Sequence, residues 1–137
     1  MNEKIAFLNQ YTKDTLIDYL GIKYTCCGDG FLEATMPIDR RTQTPVKIAH
    51  GGALMALVES VGSALSFLHV DLNTQDVRGL EINGNHLKGT PAGKTVTARA
   101  TMLHCGKRTH VCEVKIYNED GQLVNVSRMT NIVVDKK

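Results

Sequence analysis

The sequence predicts an α+β fold in which an antiparallel sheet wraps around one long central helix. Three observations predict it. One segment, from about Gly51 to Leu68, carries apolar residues at helical spacing and is long enough to cover a sheet. The chain after residue 75 alternates apolar and polar residues in three or four long runs. An early Gly28-Asp29-Gly30 separates two short strand-like runs. A sheet with one apolar face needs cover, and only one helix can supply it.

The elements follow in chain order. TKDTLIDYLG reads as a short helix with Thr12 as N-cap and Gly21 as its stop. IKYTCCGDGFLEATMPI reads as a hairpin turning at Gly28-Asp29-Gly30. DRRTQTPVKIA has no period and reads as a loop. In the long helix, Leu54, Leu57, Val58, Val61, Leu65 and Leu68 form one apolar stripe. Opposite them stand Gly52, Met55 and Ala56, Glu59, Gly62 and Ser63, and Ser66, a small-residued stripe with one acid in its middle. VRGLEING is a strand ahead of Asn85. TVTARATMLH and THVCEVKIYN alternate, with Cys112, Val114 and Ile116 sharing a face. Asn118-Glu119-Asp120-Gly121 is a turn, and LVNVSRMTNIVV is a long final strand.

Composition sets the class. The chain has 137 residues, 42% hydrophobic and 22% charged, which fits one domain over 1–137 with a real core. A formal charge of +2 is too small to argue for nucleic acid. No apolar run is long enough to cross a bilayer. The start, MNEKIAFLNQYTKD, has polar residues where a signal peptide needs an apolar block, so a cytoplasmic protein is expected. Cys26, Cys27, Cys105 and Cys112 contain no CxxC pair and read as free thiols. His104-Cys105 with His110 and Cys112 matches no structural zinc spacing, so no metal and no cofactor is expected.

The helix start carries a chemical reading. Helix N-termini present unpaired N–H groups and partial positive charge. A carbonyl oxygen that becomes anionic during acyl transfer is stabilised there. Gly51 and Gly52 allow close approach to that backbone, and His50 precedes it. The alternative is a glycine-rich entry needed only for packing. Glu59 is the one carboxylate of an apolar helix, and burial without a partner would be costly. Its commoner role would be to face solvent or a structural partner. As a catalytic group it would be general base toward water or nucleophile on an acyl carbon, with Ser63 one turn on. Gly51 and Glu59 are separated by about 12 Å along a helix. One carbonyl cannot touch both, so joint action requires two subunits whose helices cross about a two-fold axis.

HGGALMALVESVGSALS, then GLEINGNHLK, then HCGKRTHVCEVKIYNEDGQLVNVSRMTNIVV resemble hotdog-fold acyl-CoA thioesterases. The likeness is nearest to 1,4-dihydroxy-2-naphthoyl-CoA hydrolases and 4-hydroxybenzoyl-CoA thioesterases, with phenylacetate-degradation-type thioesterases less close. It extends to TLIDYLGI and GDGFLEATMPID and so covers nearly the whole chain. The resemblance implies a hotdog fold and a homodimer, often paired into a tetramer. It implies an acyl-CoA substrate with an aromatic or medium-chain acyl group. The naphthoyl relatives further imply a role in menaquinone synthesis. It places the catalytic carboxylate on Glu59 and the oxyanion amide on Gly51, with His50 and Ser63 lining the site. A glutamine usual in the family six residues before the histidine falls on Thr44 here, with Gln43 beside it.

The rest of the substrate site follows. The coenzyme phosphates call for Lys88, and for Lys107 with Arg108 around Gly106, with Arg128 a weaker candidate. Asn85 and His86 fall where the family runs its acyl-pantetheine tunnel. Met55, Phe67 and Leu68 are expected around the acyl group. A rich aromatic cage is not evident at 5% aromatic residues. A hydratase on the same fold would need an acid–histidine pair that is not seen. A non-catalytic acyl-CoA or acyl-carrier binding module would lack the glutamate.

Overall fold

Asn2 opens the chain's first helix. Its side chain accepts from the Lys4 amide at 2.8 Å, and α1 runs Glu3–Tyr11 with Ile5 and Leu8 buried. The computed structural model describes residues 2–137, so Met1, the first residue of the expected domain, lies outside the described residues. Thr12 is therefore not an N-cap. It closes α1, and its hydroxyl donates to the Leu8 carbonyl at 2.9 Å. Asp14, at φ +62°, turns the chain, and Thr15 precedes a one-turn helix α2, Leu16–Tyr19. Gly21 stops α2 as expected. At φ +77° it donates to Asp18 while Ile22 donates to Ile17, satisfying two terminal carbonyls together.

The hairpin is β1, Lys23–Gly28, and β2, Phe31–Pro37, with Gly28 paired to Phe31. Residues 38–50 form the expected loop. It is held by bridges of Gln43 to Ala49 and Ile48 to Pro91, and by the His50 amide donating to the Thr42 carbonyl at 2.8 Å. The central helix α3 is Gly51–Phe67, and Leu68 is its C-cap. Then follow β3, Gln75–His86; β4, Thr95–Cys105; β5, Thr109–Tyr117; and β6, Leu123–Asp135. The third strand is longer than expected and takes in Asn85 and His86.

All neighbouring strands are antiparallel, in the order β1-β2-β4-β5-β6-β3. The helix lies against β2 through β6, so the sheet wraps around it, the arrangement that the hotdog resemblance implies. Leu54, Leu57, Val58, Val61 and Leu65 are buried, as their spacing predicts. They meet Leu32, Ala34 and Met36 of β2, Val96, Ala98 and Ala100 of β4, and Cys112, Val114 and Ile116 of β5. The small-residued stripe divides. Gly62 and Ser66 turn inward; a Cβ on Gly62 would stand 2.7 Å from Met129 Sδ. Gly52 and Glu59 face outward, and Met55, Ala56 and Ser63 are half-buried. Inward packing took the two residues because the helix must sit close to β6 there.

One buried row departs from the sequence expectation. The helix-facing positions of β6 are Asn125, Ser127, Met129 and Asn131, three of them polar. Asn131 donates to the Gly62 carbonyl and to Ser66 Oγ, at 3.2 and 2.8 Å. Ser66 Oγ also lies 3.0 Å from His110 Nδ1. Burial, with His69 and His104 close by, holds the His110 imidazole below its ordinary pKa.

Candidate active site

Glu59 projects from the middle of α3 and is exposed in the single chain. Its Oε2 lies 2.8 Å from where a Cβ on Gly79 would stand, so the missing side chain in β3 makes room for the carboxylate. The desolvation cost that burial would have imposed therefore does not arise in one chain. Ser63 lies one turn on and makes no side-chain hydrogen bond among the described residues.

Glu59 and Ser63 share a pocket of about 230 Å³ with Phe67. Its other walls were not anticipated. They are Leu8, Tyr11 and Thr12 from α1, Thr15 and Ile17 around α2, and Tyr24 from β1, with Ser60 and Ala64 of α3. Tyr11 meets Phe67 edge to face, with ring centroids 6.2 Å apart. Tyr24 is buried, which pushes its phenol pKa up, and its hydroxyl donates to the Ser60 carbonyl at 3.3 Å. The signals for this wall were the Ile5–Leu8 spacing in a mixed segment and Asn2 ahead of it. Low aromatic content did not reveal that the fold gathers three of the seven rings at one carboxylate. Met55 and Leu68 do not line this pocket. Met55 faces Asn125 and Ser127, and Leu68 borders the β1–β2 turn.

The helix start lines a separate groove. It is formed by Thr44, Ile48, Ala49, Gly51, Leu54, His86, Leu87, Lys88 and Gly89. His50 caps the helix, its Nδ1 accepting from the Gly52 amide at 2.8 Å. That bond occupies the Gly52 N–H. The Gly51 N–H donates to no group among the described residues. A Cβ on Gly51 would stand 2.9 Å from His86 Nε2, so glycine admits the imidazole beside the free amide. Thr44, not Gln43, borders this groove. Its Oγ1 accepts from the Val46 and Ile48 amides, at 3.3 and 3.5 Å. Asn85 lies one residue before His86 on the exposed end of β3.

His86 has a buried partner that the sequence reading did not pick out. Asn125 Nδ2 lies 3.1 Å from His86 Nδ1. Nothing in the mixed polar and apolar run of β6 singles it out in the sequence. Lys107 and Arg108 border a third groove with Gln75 and Asp135. Lys88, Lys107, Arg108 and Arg128 form no ion pair among the described residues. No three His, Cys, Asp or Glu side chains among the described residues are arranged to hold a metal.

Comparison with known proteins extends this picture. Residues 47–125 match the family described as Thioesterase superfamily. A 1,4-dihydroxy-2-naphthoyl-CoA hydrolase of Escherichia coli strain K12 is 39% identical, over 93% of this chain and 92% of its own. A solved thioesterase of Pseudomonas aeruginosa, a glutamine-to-alanine variant, superposes with TM-score 0.94 at 39% identity, over 99% of this chain and 97% of that one. A thioesterase of Staphylococcus aureus superposes with TM-score 0.83 at 35% identity, over 86% of this chain and 97% of that one. The latter has been solved with a glutamine changed to alanine, and separately with a glutamate fifteen positions later changed to alanine.

Proposed function

The chain belongs to the thioesterase superfamily and is a thioester hydrolase, and we propose that its substrate is an acyl-CoA with an aromatic or medium-chain acyl group. Glu59 acts as base or nucleophile, and the Gly51 amide is the oxyanion donor. One observation carries this reading: Glu59 and Ser63 border an apolar pocket of about 230 Å³ walled by Tyr11, Tyr24 and Phe67. An apolar cavity of roughly 150 Å³ already holds benzene, so an aromatic ring has room here. The Escherichia coli relative named for a naphthoyl-CoA substrate supports the aromatic choice. The glutamine and glutamate altered in the Staphylococcus aureus relative are fifteen positions apart, and fifteen positions before Glu59 stands Thr44. That spacing supports Glu59 and makes Thr44 the local departure.

In the direct route Glu59 takes a proton from water as the water oxygen attacks the thioester carbon. The carbonyl oxygen becomes anionic and accepts from the Gly51 N–H. Collapse breaks the C–S bond, and the leaving sulfur takes the proton back from Glu59, giving free acid and CoA thiol. In the covalent route a Glu59 oxygen attacks the thioester carbon and the C–S bond breaks, releasing CoA thiolate. Water then opens the mixed anhydride to free acid and the Glu59 carboxylate, and a proton from solvent completes the CoA thiol. Solvent oxygen-18 found in Glu59 after one turnover selects the covalent route, with water attacking the Glu59 carbon of the anhydride. Label in the product acid alone is given both by the direct route and by water attack on the acyl carbon.

The two groups cannot meet one carbonyl in a single chain. They border different pockets and lie about 12 Å apart along α3. The active form is accordingly a homodimer with two shared sites. The outward placement of Gly52 and Glu59 and the unpaired outer edge of β3 beside Glu59 support this. Pairing of dimers into a tetramer is a further step that native mass spectrometry reads directly.

The test is thiol release from dihydroxynaphthoyl-, hydroxybenzoyl-, phenylacetyl- and straight-chain acyl-CoAs, by wild type and Glu59→Gln. Fast release from an aromatic or medium-chain member, lost in a variant that still folds, is expected. Near-normal turnover by Glu59→Gln would sink the catalytic assignment. Tight binding with no release from any member would favour a binding module. The blank must subtract the protein's exposed thiols, Cys26 and Cys105; burial pushes the Cys112 thiol up to about 11 and keeps it slow.

A further inference from the structure

We infer that Asn125 is a positioning residue that holds His86 in the tautomer carrying its proton on Nε2, making His86 a second donor beside the Gly51 amide. The inference rests on the reading of Gly51 as the oxyanion site.

The contacts around Asn125 favour one orientation of its amide, although Ser127 Oγ also lies 3.7 Å from Met55 Sδ. Asn125 is fully buried. Its Oδ1 accepts from Ser127 Oγ at 2.6 Å. Its Nδ2 faces Met55 Sδ at 3.8 Å and His86 Nδ1 at 3.1 Å. A thioether offers only lone pairs, so the group beside it must be the donor. The reversed amide would set a carbonyl oxygen against the Met55 sulfur, acceptor against acceptor. With the NH2 group facing His86, Nδ1 must accept. A neutral imidazole that accepts at Nδ1 carries its hydrogen on Nε2.

The geometry then points that hydrogen toward the helix start. Nε2 lies 2.9 Å from the point a Cβ on residue 51 would occupy. The Gly51 N–H, without a partner among the described residues, opens on the same groove. The ring nitrogen is thus packed close to Gly51, and a carbonyl oxygen entering the groove beside both meets two donors, one from the backbone and one from a ring. Paired donors aimed at one oxygen are what a developing oxyanion requires. The strand register builds the arrangement, because His86 and Asn125 face one another across β3 and β6.

Nitrogen-15 NMR of the imidazole rings in the intact wild-type protein tests the tautomer without a variant. A protonated Nε2 and an unprotonated Nδ1 for His86 are expected at neutral pH. The reverse pattern, or a mixture, would overturn the inference. Kinetics test the role. In Asn125→Asp the carboxylate accepts from Nδ1–H, leaving Nε2 as an acceptor. A fall in kcat of about 10²–10³-fold with KM little changed is expected, since that is the loss on removing one oxyanion donor. His86→Phe should fall similarly, and His86→Gln, which keeps an N–H donor, should recover part of the rate. Equal rates for the Phe and Gln variants would overturn the donor role even if Asn125→Asp does not fold. Gly51→Pro, compared with Gly51→Ala, separates this from the parent reading, because both bring the same Cβ against the His86 ring while proline, which fits the first helical position, alone removes the N–H. If Gly51→Pro is inactive but the His86 variants are not, the inference alone fails. If Gly51→Pro turns over normally, the oxyanion site is elsewhere and both fail.

Discussion

At the scale of single residues, the site depends as much on absent side chains as on present ones. Gly79 admits the Glu59 carboxylate, and Gly51 admits the His86 ring. Gly79→Ala would place a Cβ 2.8 Å from Glu59 Oε2 and 3.1 Å from Met129 Cε. The carboxylate is the far end of a flexible side chain, so it moves and the fold survives. Displacing a reacting group by about 1 Å costs up to roughly 10²-fold, so kcat should drop by about 10–10²-fold with an unchanged circular dichroism spectrum. A wild-type rate would show that Glu59 need not lie over β3. His110 gives a second prediction. Burial, then His69 and His104, lower its pKa in the fold. The unfolded chain takes up this proton near the ordinary pKa of about 6.5, and the folded chain only at lower pH. This group therefore costs nothing above about pH 6.5 and subtracts stability as pH falls from there toward the folded value. The urea midpoint should decline through that window, and His110→Asn should flatten the decline. An unchanged slope would remove His110 as its source.

At the scale of elements, α1 was the largest omission and has the clearest functional consequence. Only Ile5 and Leu8 of its apolar residues are buried while Phe7 and Tyr11 face outward, so no clean stripe stands out, and its cap is one asparagine. Packed in place, it supplies Tyr11 to the pocket that holds Glu59. Tyr11 is 60% exposed in the single chain, so Tyr11→Ala should fold normally. It should raise KM for aromatic acyl-CoAs several-fold more than for short straight-chain ones, as edge-to-face contacts contribute about 0.5–1.5 kcal/mol. Equal changes for both classes would argue against this wall as the ring site. The strand β6 teaches a related lesson. Alternation located it, but Asn125, Ser127 and Asn131 lie on its buried face; Asn125 meets His86 of β3, Ser127 donates to Asn125, and Asn131 donates to Ser66 of α3. Hydrophobic patterning cannot anticipate which polar residues will find such partners.

At the scale of the whole molecule, the distance between Gly51 and Glu59 governs what the enzyme must be. Two inactive variants, Gly51→Pro and Glu59→Gln, should complement when unfolded and refolded together. A mixed dimer holds one site with both lesions and one with neither, so random pairing should restore about a quarter of wild-type activity. No recovery, with mixed dimers present by mass spectrometry, would place both groups in one subunit's site.

The sequence by itself determined the frame. Helical spacing specified α3 and its buried stripe, alternation specified β4 to β6, and Gly28-Asp29-Gly30 and Gly121 marked turns, because each signal is written within a few neighbouring residues. It also singled out His50, Gly51, Glu59 and Ser63, since a glycine-rich helix start and a lone acid in an apolar helix are local oddities. Tertiary structure alone decided that Gly62 and Ser66 turn inward, that Glu59 lies over Gly79, that Tyr11 reaches Phe67 and that Tyr24 reaches Ser60. It alone set Asn125 against His86. Those pairs are separated along the chain by tens of residues, and only strand register and helix docking bring them within a hydrogen bond or a van der Waals contact.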